Sequence, residues 1–427
     1  MAFSEIIFEC TAQELLPQGG VLCWRNSKKF LTFNALPGEK IRARVIKKHK
    51  TLGKAVAIEI LEPSPLRQKP LEEHFLSCSP WQIMPYDAEK KYKLELCYQI
   101  FKNQGIELPQ GLELYSSDER FQYRNKMEYS IYHEPDGGNL SLSFYARDYK
   151  RKNCLDECIL AHPAITKAAK NVISWLNAVK NDIPYRSIKS LLLRSNSKGE
   201  VLGGLFVTTK EFPMPSSNFD MKSFAIYFSN PKSPASVIDE TLYSNGEAVL
   251  TEKLLGKTFQ YGLMSFFQIY PKTFEHALLG MKDYVQGDVL DYYSGVGSIS
   301  IALSDNIAHS VLLDCTADSI EFAQKNLEIN QLSHFETYLA PAEKMLEHIQ
   351  SDKILILDPP RSGLHPKVIH RILNVLPKRV IYLSCNPVTC AENIKSILPY
   401  YNISFQHLYN FFPSTAHMEY LIILDKK

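Results

Sequence analysis

The stretch DVLDYYSGVGS, residues 288–298, decides the fold of the C-terminal part of this chain. Its apolar beginning predicts a short buried strand over residues 288–291. Gly295 and Gly297 then predict a tight turn, and a helix is expected to begin near Ser298. Glycines at such a turn let the backbone approach a ligand closely, so the stretch predicts a strand–turn–helix unit with a binding site at its turn.

Strand and helix patterns continue to alternate after this unit. Further strands are predicted at 309–314, 354–358 and 379–383, with helices at 317–330, 365–376 and 389–398. Two more strands, 402–410 and 418–425, have no helix between them and predict an antiparallel hairpin at the sheet edge. Alternation of this kind predicts an α/β doubly wound, Rossmann-like domain over residues 266–427.

The region before this domain divides into two parts. Residues 1–62 read as a small OB-like β-barrel, with strands expected at 20–24, 30–33, 40–45 and 55–60. Residues 63–265 are expected to form an α+β central domain, and a helix within 83–112 is expected to pack on the C-terminal domain. The chain is therefore predicted to be a multidomain protein.

Bulk composition points to a soluble globular protein. The 427 residues carry a formal net charge of +2, and no apolar run approaches the ~20 residues of a spanning helix. The nine cysteines lack the dense, regular spacing of a disulfide framework, and no secretory signal is visible, so a cytoplasmic location is expected. A monomer and no membrane partner are also expected. Seven Lys or Arg residues and no acidic residue lie between Lys40 and Lys54, a pattern of either a solvated face or a phosphate-contacting one.

Cys385 is the most distinctive candidate for chemistry. It follows the predicted strand 379–383 and precedes Asn386-Pro387, which ends the strand. The carboxyl ends of strands in an open α/β sheet form the rim where ligands bind. Glu419, at the start of the last strand, is expected to point to the same rim. A thiolate can add to C6 of a pyrimidine so that C5 attacks a methyl donor, and a carboxylate can then remove the C5 proton.

Acidic residues near the glycine turn indicate the methyl donor. Asp291 heads the turn, and Asp314 ends the next strand, 19 residues after Gly295, where it can accept hydrogen bonds from ribose hydroxyls. The third glycine of a dinucleotide-binding fingerprint is missing, and a carboxylate at the head of the turn suits a cationic cofactor without phosphates. S-adenosylmethionine is such a cofactor. Asp358, in the rigid turn Asp358-Pro-Pro-Arg361, is expected beside it.

With these residues the chain resembles the RNA uracil-5-methyltransferases, in particular the branch with an N-terminal TRAM domain that modifies 23S ribosomal RNA. The resemblance spans nearly the whole chain. It is carried by the segments NALPGE (34–39), PSPLR (63–67), YRNK (123–126), SFFQ (265–268), DYYSGVG (291–297), DPPR (358–361), SCNP (384–387) and FPSTAHME (412–419), together with Asp314.

The resemblance implies a role for each site residue. Cys385 would be the nucleophile and Glu419 the base that removes the C5 proton. The cofactor site would be lined by Gln268, Tyr293, Gly295, Asp314 and Asp358. The implied partner is RNA, with 23S rRNA as the expected target and tRNA as the alternative.

Many relatives bind a [4Fe–4S] cluster through four cysteines, but here only Cys78 and Cys158 match those positions. Even with Cys154 recruited, three thiolates fall short of four. No cluster and no other metal are therefore expected.

Two other functions are compatible with parts of the sequence. A catalytically silent RNA-binding protein acting in ribosome assembly would keep the fold, but it would not need both Cys385 and Glu419. A cytosine-5-methyltransferase would share the thiol chemistry, but those enzymes usually carry the nucleophile in a Pro-Cys context, whereas Ser384 precedes the cysteine here.

Overall fold

The computed structural model describes residues 6–135, 138–147 and 151–427. Within these ranges, no helix is both long and apolar enough to cross a membrane. The described strands form sheets of five, seven and eight strands and a separate two-stranded hairpin.

The N-terminal sheet has five strands in the order β1-β4-β5-β3-β2. They are β1 (Ile7–Thr11), β2 (Val21–Arg25), β3 (Lys28–Phe33), β4 (Lys40–Lys47) and β5 (Leu52–Glu62). The four predicted strands are confirmed, and β1 is an additional one. Just after β1, Gln13 N donates to Leu22 O at 2.9 Å and Leu22 N donates to Glu14 O at 2.8 Å. These bonds join the chain after β1 to β2, so the sheet closes on itself.

The basic face of this sheet is less positive than its sequence suggests. Alternation along β4 buries Ile41 and Ala43 and leaves the Arg42 side chain 42% exposed. Arg42 nevertheless pairs with two carboxylates from the neighbouring strands, Glu9 at 3.0 Å and Glu59. The run from residue 40 to 54 contains no acidic residue, but the fold supplies acidic partners from β1 and β5.

The middle of the chain forms a seven-stranded sheet in the order β13-β12-β11-β10-β7-β8-β9. Before it come α1 (Phe75–Cys78), α2 (Tyr86–Asn103) and β6 (Leu114–Tyr115). The sheet comprises β7 (Lys126–His133), β8 (Leu140–Tyr145), β9 (Lys152–Leu155), β10 (Ile188–Ser195), β11 (Val201–Val207), β12 (Ser223–Phe228) and β13 (Glu240–Gly246). Helix α3 (Pro163–Ala178) packs across β8, β10 and β11.

The C-terminal sheet has eight strands in the order β18-β17-β16-β19-β20-β22-β21-β6. The hairpin β14 (Leu250–Leu254) and β15 (Lys257–Tyr261) precedes it. Besides β6, the strands of the eight-stranded sheet are β16 (Gly287–Tyr292), β17 (Ile307–Asp314), β18 (Phe335–Leu339), β19 (Ile354–Leu357), β20 (Arg379–Ser384), β21 (Tyr401–Tyr409) and β22 (Glu419–Lys426). The helices are α4 (Pro271–Lys282), α5 (Ser298–Ala302), α6 (Ala317–Ile329), α7 (Pro366–Val375) and α8 (Pro387–Ile394).

Strand order in this sheet fixes where a ligand can bind. Strands β16 to β20 run parallel, and β16 lies between β17 and β19. The chain order therefore reverses between β16 and β19, and the carboxyl ends of the strands beside such a switch point form a crevice. The predicted α/β doubly wound architecture is confirmed in this part of the chain.

Three segments outside residues 266–427 belong to the same packed unit as this sheet. Strand β6 pairs in parallel with β21 and forms the sheet edge, so the antiparallel β21–β22 pair is present but lies one strand inside the predicted edge position. Helix α2 packs against α8, and the β14–β15 hairpin buries Leu250 and Phe259 in the core beneath α6. The predicted boundary at residue 265 thus separates segments that pack together.

Candidate active site

A cavity of about 870 Å³ opens at the carboxyl ends of the parallel strands. Its volume falls in the usual range for a small-molecule site, about 300–1,000 Å³. The two predicted catalytic residues, Cys385 and Glu419, line it together with the five predicted cofactor-binding residues, Gln268, Tyr293, Gly295, Asp314 and Asp358. The sheet thus brings together side chains that are up to 151 residues apart in sequence (419 − 268).

Cys385 and Glu419 are brought together by strand register. Strands β20 and β22 are antiparallel, and their last pair is Ser384 with Tyr420. Continuing that register by one residue sets Cys385 opposite Glu419, the first residue of β22. Cys385 is partly exposed to the cavity, whereas Glu419 is only 3% exposed.

Both reactive groups are held in their neutral forms in the absence of ligands. Burial, followed by the Glu419 and Asp358 carboxylates, raises the pKa of the Cys385 thiol to about 12, against the opposing effect of Arg361. Burial raises the pKa of Glu419 well above its usual range, and Asp358 adds to this effect while Arg361 opposes it. No described residue hydrogen-bonds Glu419 Oε2, so this buried oxygen is free to face a substrate atom.

Arg361, the last residue of the DPPR turn, also lines the cavity, although the sequence pattern gave no sign of it. It lowers the pKa of both Cys385 and Glu419. Its Nη2 lies 2.8 Å from His417 Nδ1, and its carbonyl oxygen accepts a hydrogen bond from Asn386 Nδ2 at 2.9 Å. The arginine is therefore fixed between the segment of Cys385 and the loop before Glu419, where it can stabilise negative charge.

The turn after β16 has the left-handed backbone that its glycines predict. Gly295 and Gly297 have φ of 56° and 82°, and Tyr293 between the strand and the glycines has φ of 64°. A Cβ on Gly297 would lie 2.6 Å from Ile301 Cδ1 and 2.8 Å from Leu312 Cδ2, so these two buried side chains would have to shift to make room for it. Asp314 accepts a hydrogen bond from Gly295 N at 3.1 Å and so joins the turn to the end of β17.

Asp291 does not take the position expected from its place at the head of the turn. It is fully buried and does not line the cavity. Its Oδ2 accepts hydrogen bonds from Ser300 N at 3.1 Å and Ser300 Oγ at 2.7 Å. The expectation that Asp291 contacts the cofactor is therefore wrong, because the Asp291 carboxylate turns away from the cavity and accepts its hydrogen bonds from Ser300 in α5.

Asp358 provides the carboxylate that Asp291 does not. Desolvation raises the pKa of Asp358 to about 7, with a further contribution from the Asp291 carboxyl. Gln268 Nε2 donates to Asp358 Oδ2 at 3.4 Å, so these two predicted residues form one wall. Asn125 Nδ2 donates to the carbonyl of Gln268 at 3.0 Å, which ties the YRNK segment to the same wall.

A buried arginine on β10 holds the segment 262–268 in place through hydrogen bonds to its backbone. Arg194 is fully buried and donates to three carbonyl oxygens, those of Gly262, Ser265 and Phe267. Anchoring Phe267 and Ser265 leaves Phe266 between them 60% exposed at the cavity, next to Gly295. An exposed aromatic ring at a cavity wall is a stacking surface, and the sequence analysis did not assign Phe266 to the site.

A buried polar network holds the loop before Glu419 against α2. Glu89 and Lys93 are fully buried and pair at 3.1 Å. Ser414 N donates to both Glu89 oxygens at 3.0 Å, and Lys93 Nζ donates to Asn410 Oδ1 at 2.5 Å. Arg120 adds a hydrogen bond from its Nε to Ser414 Oγ at 3.0 Å. The position of Glu419 thus depends on a helix that lies outside the predicted catalytic domain.

The cysteines available for an iron–sulfur cluster do not provide its usual donor set. Cys78 and Cys158 lie close together, and the neighbouring donors are Glu72 and His74 rather than further thiols. Cys154 is exposed and lies outside this group of four. A [4Fe–4S] cluster is normally held by four thiolates, so these residues do not fit one.

Comparisons with known proteins find methyltransferases among the similar sequences. The family model described as tRNA (Uracil-5-)-methyltransferase matches residues 256–427. An uncharacterized RNA methyltransferase from Clostridium acetobutylicum is 26% identical over 94% of each chain, and one from Synechocystis is 26% identical over 98% of this chain and 95% of its own.

A solved structure shares the fold. It is the Pyrococcus abyssi tRNA (uracil-54, C5)-methyltransferase in complex with S-adenosyl-L-homocysteine. The two superpose with a TM-score of 0.78 at 23% identity, over 98% of this chain and all of the other. Residues 256–427 are therefore similar to the tRNA (Uracil-5-)-methyltransferase family, and nearly the whole chain is similar to proteins described as RNA methyltransferases.

Proposed function

We propose that the protein transfers a methyl group from S-adenosylmethionine to C5 of a uridine in RNA. The observation that carries the proposal is the β20–β22 register, which sets Cys385 opposite Glu419 at a cavity that the glycine turn also lines. A thiol and a carboxyl group at one rim provide the nucleophile and the base that C5 methylation of a pyrimidine requires.

The residues that line the cavity have the chemistry to bind the cofactor. Asp314 reaches the rim with a carboxylate that can accept hydrogen bonds from ribose hydroxyls. The exposed Phe266 ring can stack on an adenine base, and Asp358 with Gln268 can attract a cationic sulfonium and its amino group. Gly295 leaves the turn without a side chain at this wall, and Tyr293 flanks it. The bound cofactor supplies the methyl group as an electrophile.

The residues of the chain carry the remaining steps. The Cys385 sulfur forms a bond to C6 of the uracil ring and loses its proton to solvent, with Arg361 offsetting the negative charge. After the methyl group has joined C5, Glu419 removes the C5 proton. The C6–sulfur bond then breaks, and the thiolate recovers a proton. Glu419 finally releases the proton that it took from C5 to solvent, so the net products are the methylated base, the demethylated cofactor and one proton.

The target RNA is proposed to be 23S rRNA, bound by the N-terminal β-barrel, which we assign as a TRAM domain, together with the central α+β domain. RNA binding by the central domain is supported by the two cations Arg124 and Arg147, which line the cavity on the side of the central sheet. Phosphate contacts of this kind hold the backbone, while the base is flipped into the pocket. A tRNA substrate is the alternative, and the solved Pyrococcus abyssi relative is named for one.

One experiment tests the reaction and the target together. The purified full-length protein is incubated with labelled cofactor and unmodified 23S rRNA or tRNA transcripts, and digested nucleosides are identified by mass spectrometry. We expect 5-methyluridine in 23S rRNA, loss of product with Cys385→Ala, and unchanged product with Cys154→Ser.

Each other outcome overturns a defined part of the proposal. Label in 5-methylcytidine would refute uracil specificity, and label in tRNA alone would refute the rRNA target. Wild-type protein that binds RNA without transferring a methyl group would favour the catalytically silent assembly factor. Product formed by Cys385→Ala would refute the mechanism.

A further inference from the structure

Four potential metal ligands converge beside the cavity, at a place that the reaction does not use. They are Glu72, His74, Cys78 and Cys158, and their donor atoms all lie within 4.8 Å of one another. Glu72 and His74 come from the segment leading into α1, Cys78 is the last residue of α1, and Cys158 comes from the loop after β9. His74 is 8% exposed and Cys158 is 2% exposed, so the cluster is largely shielded from solvent.

The imidazole of His74 indicates that this cluster is incomplete without a ligand. His74 Nε2 is buried, and none of the described residues satisfies it with a hydrogen bond. It lies 3.4 Å from Glu72 Oε1, a distance that two ligands of the same ion can have. A buried ring nitrogen left without a hydrogen bond costs free energy, and coordination of a cation removes that cost.

The groups around the cluster orient its ligands. Glu72 Oε2 accepts a hydrogen bond from Gln82 Nε2 at 3.1 Å, and Glu72 Oε1 accepts one from Ile159 N at 2.5 Å. Ser79 Oγ lies 3.2 Å from Cys78 Sγ. Hydrogen bonds to coordinating carboxylates and thiolates are typical of metal sites, because they fix each ligand in its bound orientation.

We propose that Glu72, His74, Cys78 and Cys158 bind a single zinc ion. Four donors around a tetrahedral zinc lie about 3.3–3.8 Å apart, given bond lengths of about 2.0–2.3 Å. Here all four donors lie within 4.8 Å of one another, and Glu72 lies 3.4 Å from His74 Nε2 and 4.0 Å from Cys78 Sγ. Two thiolates with an imidazole and a carboxylate form a donor set that suits zinc and leaves out hard cations such as magnesium. A cubane cluster requires a thiolate on each of four irons, and this site offers two.

The ion would tie two distant segments into one wall of the cavity. Cys78 and Ser77 line the cavity, and Arg147 Nε and Asn153 Nδ2 already donate to Leu76 O and Ser77 Oγ, at 2.5 and 3.1 Å. All four ligand positions are filled by protein, which is the pattern of a structural rather than a catalytic zinc site. The site therefore stabilises the contact between the region before α2 and the central sheet, and it does not depend on the proposed methyl transfer.

Metal binding by the full-length protein tests the proposal directly. The metal-free protein is titrated with Zn²⁺ and with Co²⁺, and bound metal is counted by mass spectrometry under native conditions. We expect a single ion per chain, a Co²⁺ spectrum with thiolate charge-transfer bands, and a Tm that rises on zinc binding. Cys158→Ser and Cys78→Ser should each weaken zinc binding by about tenfold or more, since even changes to outer-sphere groups cost about 10–100-fold.

Cys154→Ser is the matched control, because this cysteine is exposed and lies outside the cluster. Unchanged zinc affinity in Cys158→Ser would overturn the proposal, as would wild-type protein whose Co²⁺ spectrum lacks thiolate bands. Purification with iron and inorganic sulfide in equal amounts would also overturn it in favour of a cluster. If a ligand variant does not fold, the wild-type stoichiometry and spectrum still decide the question.

Discussion

Replacing Glu419 with glutamine should stop the reaction after methyl transfer and leave the RNA attached to the protein. Glutamine has the same shape as glutamate but cannot accept the C5 proton. Because the C6–sulfur bond breaks only after that proton leaves, the Cys385 adduct should accumulate. A positioned general base contributes about 10²–10⁴-fold to a rate, so we expect kcat to fall by that factor while the first turnover still forms an adduct.

The same substitution should not destabilise the protein, and this separates a chemical defect from a folding defect. Glu419 is buried, and its pKa is raised in the folded state. When folding raises the pKa of a carboxyl group, the free energy of unfolding of the protein falls as the pH rises between the unfolded-state and the folded-state pKa. The loss is about 1.4 kcal/mol per pH unit. Glutamine does not ionise, so the Glu419→Gln variant does not lose stability in this way. Its free energy of unfolding should equal or exceed that of the wild type at neutral pH. The difference should vanish below the unfolded pKa of about 4.3.

Denaturing gels with labelled RNA provide the assay, and peptide mass spectrometry locates the adduct. The band should resist denaturation, carry a methylated uridine on the peptide containing Cys385, and be absent in Cys385→Ala/Glu419→Gln. Glu392→Gln, at an exposed position on α8, is the control for loss of a carboxylate. Wild-type kcat in Glu419→Gln would refute the role of Glu419, and loss of methyl transfer without an adduct would show that it acts before the methyl group moves.

The packing and charge of the site lead to three more predictions. Gly297→Ala should lower the free energy of unfolding, measured with denaturant, by about 2–4 kcal/mol, because it combines left-handed backbone strain with overpacking. The control is Gly105→Ala, where φ is 75° and the space around the Cβ is open, so only the backbone strain of about 1–2 kcal/mol is expected. Glu89→Ala should lower the free energy of unfolding by about 3–5 kcal/mol and reduce methylation, because it leaves the buried Lys93 charge without its partner. The control is Glu95→Ala at an exposed position of the same helix, which should lower it by less than about 1 kcal/mol. Equal losses in the two variants would contradict the buried network. The affinity for the cofactor, measured by calorimetry, should increase as the pH rises through about 7, the pKa of Asp358, since a carboxylate attracts a sulfonium better than a neutral carboxyl group does. Asp358→Asn should abolish this pH dependence. If the variant keeps the wild-type dependence of affinity on pH, Asp358 does not contact the cofactor.

The sequence predicts the C-terminal sheet and its rim well because these depend on local patterns. Buried parallel strands are short apolar runs, and the residues just after them must lie at the carboxyl edge. This reasoning places Asp314, Asp358 and Cys385 at one rim from their positions in the chain, and all three line the cavity. It misplaces Asp291, because a carboxylate at the end of a strand can turn either to the cavity or back to the following helix. The strand pattern does not distinguish these two directions.

Features that depend on distant contacts could not be predicted from patterns of this kind. Strand β6 has only two residues, too few for a period, and it exists because β21 offers a free edge. Glu89 and Lys93 have the spacing of an exposed helical ion pair, and only the packing of α2 under the 410–418 loop buries them. The metal-ligand cluster could not be found from cysteine spacing, which gives two thiols, because Glu72 and His74 become relevant only through the fold.

The charges at the rim suggest why Arg361 belongs to the active site. In the protein without ligands, burial and neighbouring carboxylates favour the neutral forms of both Cys385 and Glu419, although the chemistry requires a thiolate first and a carboxylate later. A sulfonium cofactor would add one positive charge beside Asp358, and Arg361 already supplies another between the two reactive groups. Each positive charge lowers the cost of ionising its neighbours, and in a water-poor cavity this effect is larger than in bulk solvent. Cofactor binding should therefore activate the thiol, so that Cys385 becomes reactive only when a methyl group is ready to be transferred.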